Sequence, residues 1–158
     1  MLQDTARITL SSADHTAALA VRLGARLKPG DTLLLEGPIG AGKTHFARSL
    51  IQSRLPLPED VPSPTFTLVQ TYDADGVEIW HADLYRLTSP DDVVELGLVD
   101  AFETAICLVE WPDRLGTLAP QKALTLRFSQ GTSEDERDLL LQWTAPEWAS
   151  RLDGVLHE

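Results

Sequence analysis

A glycine-rich stretch that ends in a lysine and a threonine has the residue types and spacing that point most directly to chemistry. Its spacing is G-x-x-x-x-G-K-T, which is typical of a phosphate-binding loop. The glycines let the backbone curl so that its N–H groups, with the start of a following helix, can bind an anion. Lys43 can reach the β and γ phosphates of a nucleotide, and the Thr44 hydroxyl can ligate Mg²⁺. The stretch consists of Gly37, Pro38, Ile39, Gly40, Ala41, Gly42, Lys43 and Thr44.

The segments on either side of this loop strengthen the prediction of a nucleotide site. An apolar run, Thr32–Glu36, precedes the loop and predicts a buried strand, and a helix-compatible run, His45–Arg54, follows it. A strand before the loop and a helix after it form the context in which the motif is credible. Without that context, the same residues would also be consistent with a glycine-rich structural turn.

Two acidic residues at the predicted ends of strands could complete such a site. Hydrolysis or transfer of a phosphoryl group also needs a carboxylate near Mg²⁺ and a group that orients the nucleophile. Asp83 ends the predicted strand Val77–Asp83, where alternation puts it on the same face as His81. Glu110 follows the continuous apolar run Ala105–Val109. An acid at the carboxyl end of a buried strand points into the ligand crevice of an α/β sheet; the alternative for each is a surface carboxylate that caps the next element.

The order of the predicted elements indicates an α/β fold, with three layers and a mixed central sheet like that of the P-loop NTPases. We find no linker and no internal repeat, so we expect one domain spanning residues 1–158. The other predicted elements are strands at Arg7–Leu10, Thr65–Tyr72, Lys122–Phe128 and Asp138–Trp143, helices at Ala13–Leu27, Pro90–Leu96, Leu98–Thr104 and Pro146–Leu152, and a hairpin turn at Asp73–Gly76.

Composition and charge exclude several classes of protein. The 158 residues include 13 Lys and Arg against 24 Asp and Glu, a net charge of −11. That balance argues against direct binding of DNA or RNA, because binding needs cations that displace counterions; any RNA would be reached through a partner. A single cysteine, Cys107, excludes an internal disulfide and a cysteine-built metal cluster. No apolar run has the length of a membrane span, and the N-terminus lacks signal-peptide features, so we expect a cytoplasmic location.

Two sequence features that the chain lacks limit the type of nucleotide it binds and the type of reaction it performs. The guanine-specificity element Asn-Lys-x-Asp is impossible, because the chain contains no asparagine. A small-molecule kinase usually has an arginine-rich lid, and the central region offers only Arg86 and Arg114. The residues themselves leave three readings open: a nucleotide hydrolase, a small-molecule kinase, and a nucleotide-gated binding module that does not hydrolyse.

Four motifs follow the loop in order: Val61–Val69, His81–Leu87, Glu95–Leu98 and Val109–Arg114. Together with the loop they resemble the TsaE family, also called YjeE, the small bacterial ATPase of tRNA threonylcarbamoyladenosine biosynthesis. The resemblance implies that the chain binds ATP or ADP with Mg²⁺ and works with TsaD and TsaB. These two partners transfer the threonylcarbamoyl group to the adenosine beside the anticodon, while the TsaE-like subunit hydrolyses ATP, slowly when alone.

The same resemblance assigns roles to individual residues. Lys43 would hold the phosphates, and Thr44 and Asp83 would hold Mg²⁺, Asp83 through water. Glu110 would contact the metal and orient the attacking water, and Thr65 would lie in a switch loop near the γ-phosphate. The resemblance also implies nucleotide contacts from the loop residues Gly37 to Thr44, His45 and Trp111, and support or partner contact from Trp111 and Tyr85. For His81 two roles are open: a structural one, in which it holds the strand end and Asp83 by hydrogen bonds, and that of a proton shuttle. His45 departs from the small hydroxyl residue usual in that family, and Pro38 and Ile39 replace its common acidic-leucine pair.

Overall fold

A seven-stranded mixed sheet forms the middle layer of the computed structural model, which describes residues 4–156. The strand order is β1-β7-β6-β2-β5-β4-β3. The four central strands β4, β5, β2 and β6 run parallel to one another, while β3 pairs antiparallel with β4, β7 with β6, and β1 with β7. The strands are β1 (Asp4–Leu10), β2 (Thr32–Glu36), β3 (Val69–Ala74), β4 (Val77–Asp83), β5 (Ile106–Glu110), β6 (Leu124–Gln130) and β7 (Arg137–Trp143).

Helices cover both faces of this sheet and complete the three layers. The first face carries α1, α2 and α5, and the second carries α3, α4 and a 3-10 helix. Alternation along the central strands supplies both cores, since Leu33 and Leu35 of β2 pack on the first face and Leu34 on the second. The predicted α/β fold is therefore confirmed. The helices are α1 (Ala13–Gly24), α2 (Lys43–Arg54), α3 (Pro90–Glu95), α4 (Leu98–Thr104), the 3-10 helix (Pro112–Leu118) and α5 (Glu147–Leu156).

The first helix is shorter than its sequence predicts. Apolar spacing predicts a helix to Leu27, but α1 ends at Gly24. The Arg54 guanidinium of α2 donates hydrogen bonds to the carbonyl oxygens of Gly24, at 2.7 Å, and Leu27, at 3.0 Å. These bonds satisfy carbonyl groups that a helix end leaves unpaired. Among residues 4–156, no helix combines the length and the apolar character needed to span a bilayer.

The strand predicted at Thr65–Tyr72 is wrong over its first half. Residues 65–68 form a turn, which the Leu68 N–H closes by donating to the Pro64 carbonyl oxygen at 2.7 Å. Leu68 has a φ of 70°, a left-handed conformation that a β-strand does not allow. The β3 strand therefore begins only at Val69. The predicted turn at Asp73–Gly76 is tighter than expected, since only Asp75 and Gly76 separate β3 from β4.

The single cysteine lies in the middle of the sheet. Cys107 of β5 is fully buried and pairs with Thr32 of β2 and Trp80 of β4 in the strand ladders. Burial raises the pKa of its thiol to about 12, so the thiol is protonated and unreactive at neutral pH. This position agrees with the prediction that Cys107 belongs to an apolar strand.

Candidate functional site

The glycine-rich loop connects β2 to α2 at the carboxyl edge of the parallel strands. Gly37, Gly40 and Gly42 have φ angles of 138°, 82° and 105°, a region that favours glycine. At Gly37, a Cβ atom would lie 2.5 Å from the carbonyl oxygen of Phe128, so a larger residue would displace β6. The α2 helix begins at Lys43, directly after the loop. Its first N–H groups have no partner within the helix, which makes the loop a favourable site for an anion.

The ammonium group of Lys43 is held inside the loop. Lys43 is 4% exposed, and its Nζ donates to the Gly37 carbonyl oxygen. The same atom lies 3.8 Å from the centre of a Trp111 ring, a cation–π contact. Burial lowers the pKa of Lys43, while the neighbouring carboxylates of Glu110 and Asp83 oppose that shift. The chain thus places a desolvated cation where phosphate oxygens could replace carbonyl partners.

Glu110, at the end of β5, joins the loop helix to the neighbouring strand. Its Oε1 accepts a hydrogen bond from the Thr44 hydroxyl at 2.8 Å, and its Oε2 lies 2.7 Å from Nε2 of His81. Glu110 is 2% exposed. The expectation that His81 holds Asp83 is wrong: β4 and β5 are in parallel register, and the His81 ring reaches diagonally to the Glu110 carboxylate. Two predicted metal ligands, Thr44 and Glu110, are in direct contact.

Asp83 lies opposite Glu110 at the end of β4. Its Oδ1 accepts the main-chain N–H of Tyr85 at 3.0 Å, and its Oδ2 lies 3.4 Å from the hydroxyl of Thr65. The Asp83 N–H donates to the carbonyl oxygen of Leu68 at 2.9 Å. The predicted switch residue Thr65 and the predicted metal-binding residue Asp83 are therefore neighbours, and the turn that contains Thr65 is tied to β4.

One cavity of about 580 Å³ connects these residues. Its volume is within the usual range for small-molecule and cofactor sites. Three predicted loop residues, Gly37, Pro38 and Ala41, belong to the loop but do not line the cavity. The predicted residues that do line it are Ile39, Gly40, Gly42, Lys43, Thr44, His45, Thr65, Asp83, Glu110 and Trp111.

Sequence reasoning missed one wall of this cavity. Ala13, Thr16, Asp135 and Arg137 also line it. Arg137 donates from Nε to the Ala41 carbonyl oxygen at 3.2 Å, so β7 supports the loop. The sequence carried a weak signal for this contact, since Arg137 directly precedes the predicted strand Asp138–Trp143 and is the single cation in the acidic run of residues 134–138.

The far wall includes the first turn of α1 as well. The Nε2 atom of His45 in α2 lies 2.9 Å from the Ala13 carbonyl oxygen, where it acts as the donor. Tyr85, expected to support the site or contact a partner, lines the cavity, and its ring centre is 4.8 Å from that of Trp111. The two aromatic rings therefore form a continuous apolar rim beside Lys43.

Comparison with known proteins matches this chain to one family. The family model described as "Threonylcarbamoyl adenosine biosynthesis protein TsaE" matches residues 10–139. The Rickettsia conorii protein named tRNA threonylcarbamoyladenosine biosynthesis protein TsaE is 45% identical over 105 residues, 66% of this chain and 60% of that protein. The protein of the same name from Bacillus subtilis is 36% identical over 127 residues, 80% of this chain and 78% of that protein.

A solved structure agrees with these matches over almost the whole chain. The crystal structure of YdiB from Bacillus subtilis superposes with a TM-score of 0.81 at 26% sequence identity, covering 99% of this chain and 97% of that one. The region matched by the family model contains the loop, Asp83 and Glu110. The chain therefore belongs to the TsaE family of tRNA threonylcarbamoyladenosine biosynthesis proteins.

Proposed function

We propose that this chain is a Mg²⁺-dependent ATP-binding and ATP-hydrolysing subunit of the tRNA threonylcarbamoyladenosine machinery, acting with TsaD and TsaB in the cytoplasm. One observation carries the proposal: the Thr44 hydroxyl and the Glu110 carboxylate are 2.8 Å apart in the cavity that also contains Lys43. A loop lysine, a loop hydroxyl and a strand-end acid are the parts that P-loop hydrolases use. Family membership supports the pathway, and the geometry supports the type of reaction.

The residues around the cavity fit a magnesium nucleotide. Mg²⁺ prefers oxygen ligands, and the cavity offers the Thr44 hydroxyl with the carboxylates of Asp83 and Glu110. The buried Lys43 ammonium is held by the carbonyl oxygens of Gly37 and Pro38 and by a ring face, with no carboxylate in direct hydrogen-bond contact among the described residues. A polyphosphate would supply the anionic partner that this cation lacks. When bound, Mg²⁺ would neutralise charge on the phosphates.

Each residue then has a definite task in hydrolysis. Lys43 and the loop N–H groups would stabilise negative charge on the phosphates. Thr44 and Asp83 would hold the metal. Glu110 would accept a hydrogen bond from the attacking water and so orient it. These groups are fixed by the fold before the nucleotide arrives, which reduces the reorganisation that the reaction requires.

The rim of the cavity supports docking of a protein partner. Three exposed apolar side chains lie on or beside it: Ile39 at 76% exposure, Phe66 at 85% and Tyr85 at 45%. Exposed apolar patches commonly mark interaction surfaces. A partner seated there would exclude water from the cavity, and this would account for the slow hydrolysis that we expect of the isolated subunit. The net charge of −11 favours contact with tRNA through the partners.

A nucleotide-gated module without hydrolysis is the second candidate. Both oxygens of Glu110 already have side-chain partners, Thr44 and His81, so an attacking water would share its Glu110 oxygen with one of them. The kinase alternative has no comparable support. Its two candidate lid residues are engaged elsewhere, since Arg114 bonds Asp113 and Arg86 lies over the Phe66 ring.

Replacing the loop lysine tests nucleotide binding. We expect Lys43→Ala to lower the affinity for ATP and ADP by about 100-fold or more, because two charge-assisted hydrogen bonds are each worth about 1.5–3 kcal/mol. Fluorescent nucleotide titration gives the affinity. The control is Lys28→Ala, an exposed lysine before the opposite end of β2. Equal affinities in Lys43→Ala and wild type would contradict the assignment of the loop.

Turnover distinguishes the two candidates. ATP hydrolysis is measured for the chain alone and with TsaD and TsaB from the same source. Stimulation by the partners supports the ATPase subunit. Tight nucleotide binding without turnover in any mixture supports the gated module instead.

A further inference from the structure

A buried histidine lies behind Glu110, outside the wall of the cavity. His81 of β4 is 0% exposed, and its Nε2 is 2.7 Å from Oε2 of Glu110. Its other ring nitrogen, Nδ1, has no hydrogen-bond partner within the part of the chain that the structure describes. A buried polar group costs free energy unless it is paired. Glu110 is therefore the contact that accounts for a histidine here, where an apolar residue would otherwise fill the core.

The histidine occupies one oxygen of Glu110 and leaves the other directed at the loop. A carboxylate accepts hydrogen bonds but does not donate them, so Nε2 carries the proton in this pair. The terminal torsion of a glutamate is broad, and the group turns readily when only one oxygen is held. With Oε2 on His81, the plane of the carboxylate is fixed and Oε1 faces Thr44 at 2.8 Å.

We propose that His81 is a positioning residue for Glu110: it holds Oε2 so that Oε1 stays at the nucleotide site. The inference rests on the proposed function for the step that it assists. His81 acts only through Glu110 and does not itself line the cavity. Asp83 has no such support, since its two oxygens contact a main-chain N–H and the hydroxyl of Thr65. The contrast identifies Glu110 as the acid whose orientation matters most.

Two substitutions at His81 separate the hydrogen bond from the shape of the ring. His81→Phe keeps a planar ring of similar size and removes the donor, whereas His81→Gln keeps an N–H donor at a similar reach. With TsaD and TsaB present, we expect His81→Phe to lower kcat by about 10–100-fold, the usual cost of losing the support of a catalytic or metal ligand. Nucleotide affinity at saturating Mg²⁺ should stay near the wild-type value, and His81→Gln should recover much of the loss in kcat.

A double-mutant cycle tests whether His81 works through Glu110. In a Glu110→Gln background, His81→Phe should cause no further loss of turnover, because the carboxylate that it positions is already gone. A merely structural role predicts the same proportional loss in both backgrounds. A correctly folded His81→Phe with wild-type turnover, or a further tenfold loss in the Glu110→Gln background, would overturn the proposal.

Two further measurements keep the proposal testable if a variant does not fold or if hydrolysis is absent. In wild type, NMR should detect a slowly exchanging Nε2–H proton of His81, and this signal should disappear in Glu110→Ala. If wild type lacks the signal, the hydrogen bond between His81 and Glu110 is overturned. If wild type binds nucleotide but never turns it over, the proposed hydrolysis fails. In that case the positioning role is tested by the Mg²⁺ concentration that gives half-maximal nucleotide binding. Equal concentrations for wild type and His81→Phe would overturn the positioning role.

Discussion

The ends of β4 and β5 carry one acid each at the same level of the sheet, yet their surroundings differ. Glu110 is 2% exposed and is bonded by two side chains, Thr44 from α2 and His81 from β4. Asp83 is 7% exposed and is bonded by a main-chain N–H and, at 3.4 Å, by the hydroxyl of Thr65. Glu110 is therefore held by two side chains that belong to the core elements, whereas Asp83 contacts a turn at the surface.

This difference separates two tasks within one cavity. Groups that stabilise a transition state work best when the fold fixes them in advance. Groups that respond to a ligand or a partner are found where local structure is less strongly held. The turn at residues 64–68 has few buried side chains and carries Phe66, which is 85% exposed. We therefore expect changes at Glu110 to affect turnover most and changes in the turn to affect partner coupling.

The largest effect is expected from Glu110→Gln. The substitution keeps the size of the side chain but removes the charge that orients water, so turnover with TsaD and TsaB should fall by about 100–1,000-fold. Nucleotide binding should remain, because Lys43 and the loop are unchanged. Steady-state hydrolysis and fluorescent nucleotide titration measure the two quantities. Normal turnover in a folded variant would remove Glu110 from the mechanism.

A smaller effect is expected from Asp83→Asn, the matched substitution on the neighbouring strand. Asn keeps an oxygen that can accept from the Tyr85 N–H, so the local backbone should hold. Because the Asp83 carboxylate would no longer offer its charge to the metal, turnover should fall by about tenfold and the Mg²⁺ concentration for half-maximal activity should rise. Mg²⁺ titrations of hydrolysis measure both. If Asp83→Asn lost more turnover than Glu110→Gln, the proposed division between the two acids would be reversed.

The loop and both acids could be predicted from sequence because their signals are local. Spacing in residues 37–44 defines the loop, and an acid directly after an apolar run predicts the end of a buried strand. The mixed sheet also follows from the order of the elements. These inferences need only neighbouring residues, and the strand-end positions of Asp83 and Glu110 agree with them.

The remaining features depend on contacts between distant segments. The His81–Glu110 pair requires the register of β4 against β5, which neither strand encodes alone. Arg137 reaches the loop only because β7 pairs with β1 and β6. The turn before β3 was predicted as strand because its residue types favour one, and the tertiary fold overrides that local preference at Leu68.

The smallest effect is expected from Phe66→Ser, which tests the role of the surface turn at residues 64–68 that lies beside Asp83. Phe66 is exposed and lies outside the cavity wall, so the isolated variant should bind nucleotide and hydrolyse ATP as wild type does. Loss of a buried aromatic contact at an interface commonly costs 1 kcal/mol or more, so about tenfold more TsaD and TsaB should be needed for half-maximal stimulation. The matched control is Leu57→Ser, another exposed apolar residue (74%), which follows the far end of α2. Equal partner requirements in both variants would place the docking surface elsewhere. A selective change at Phe66 would place the partner on the turn whose Thr65 hydroxyl contacts Asp83, on the opposite side of the comparison from Glu110.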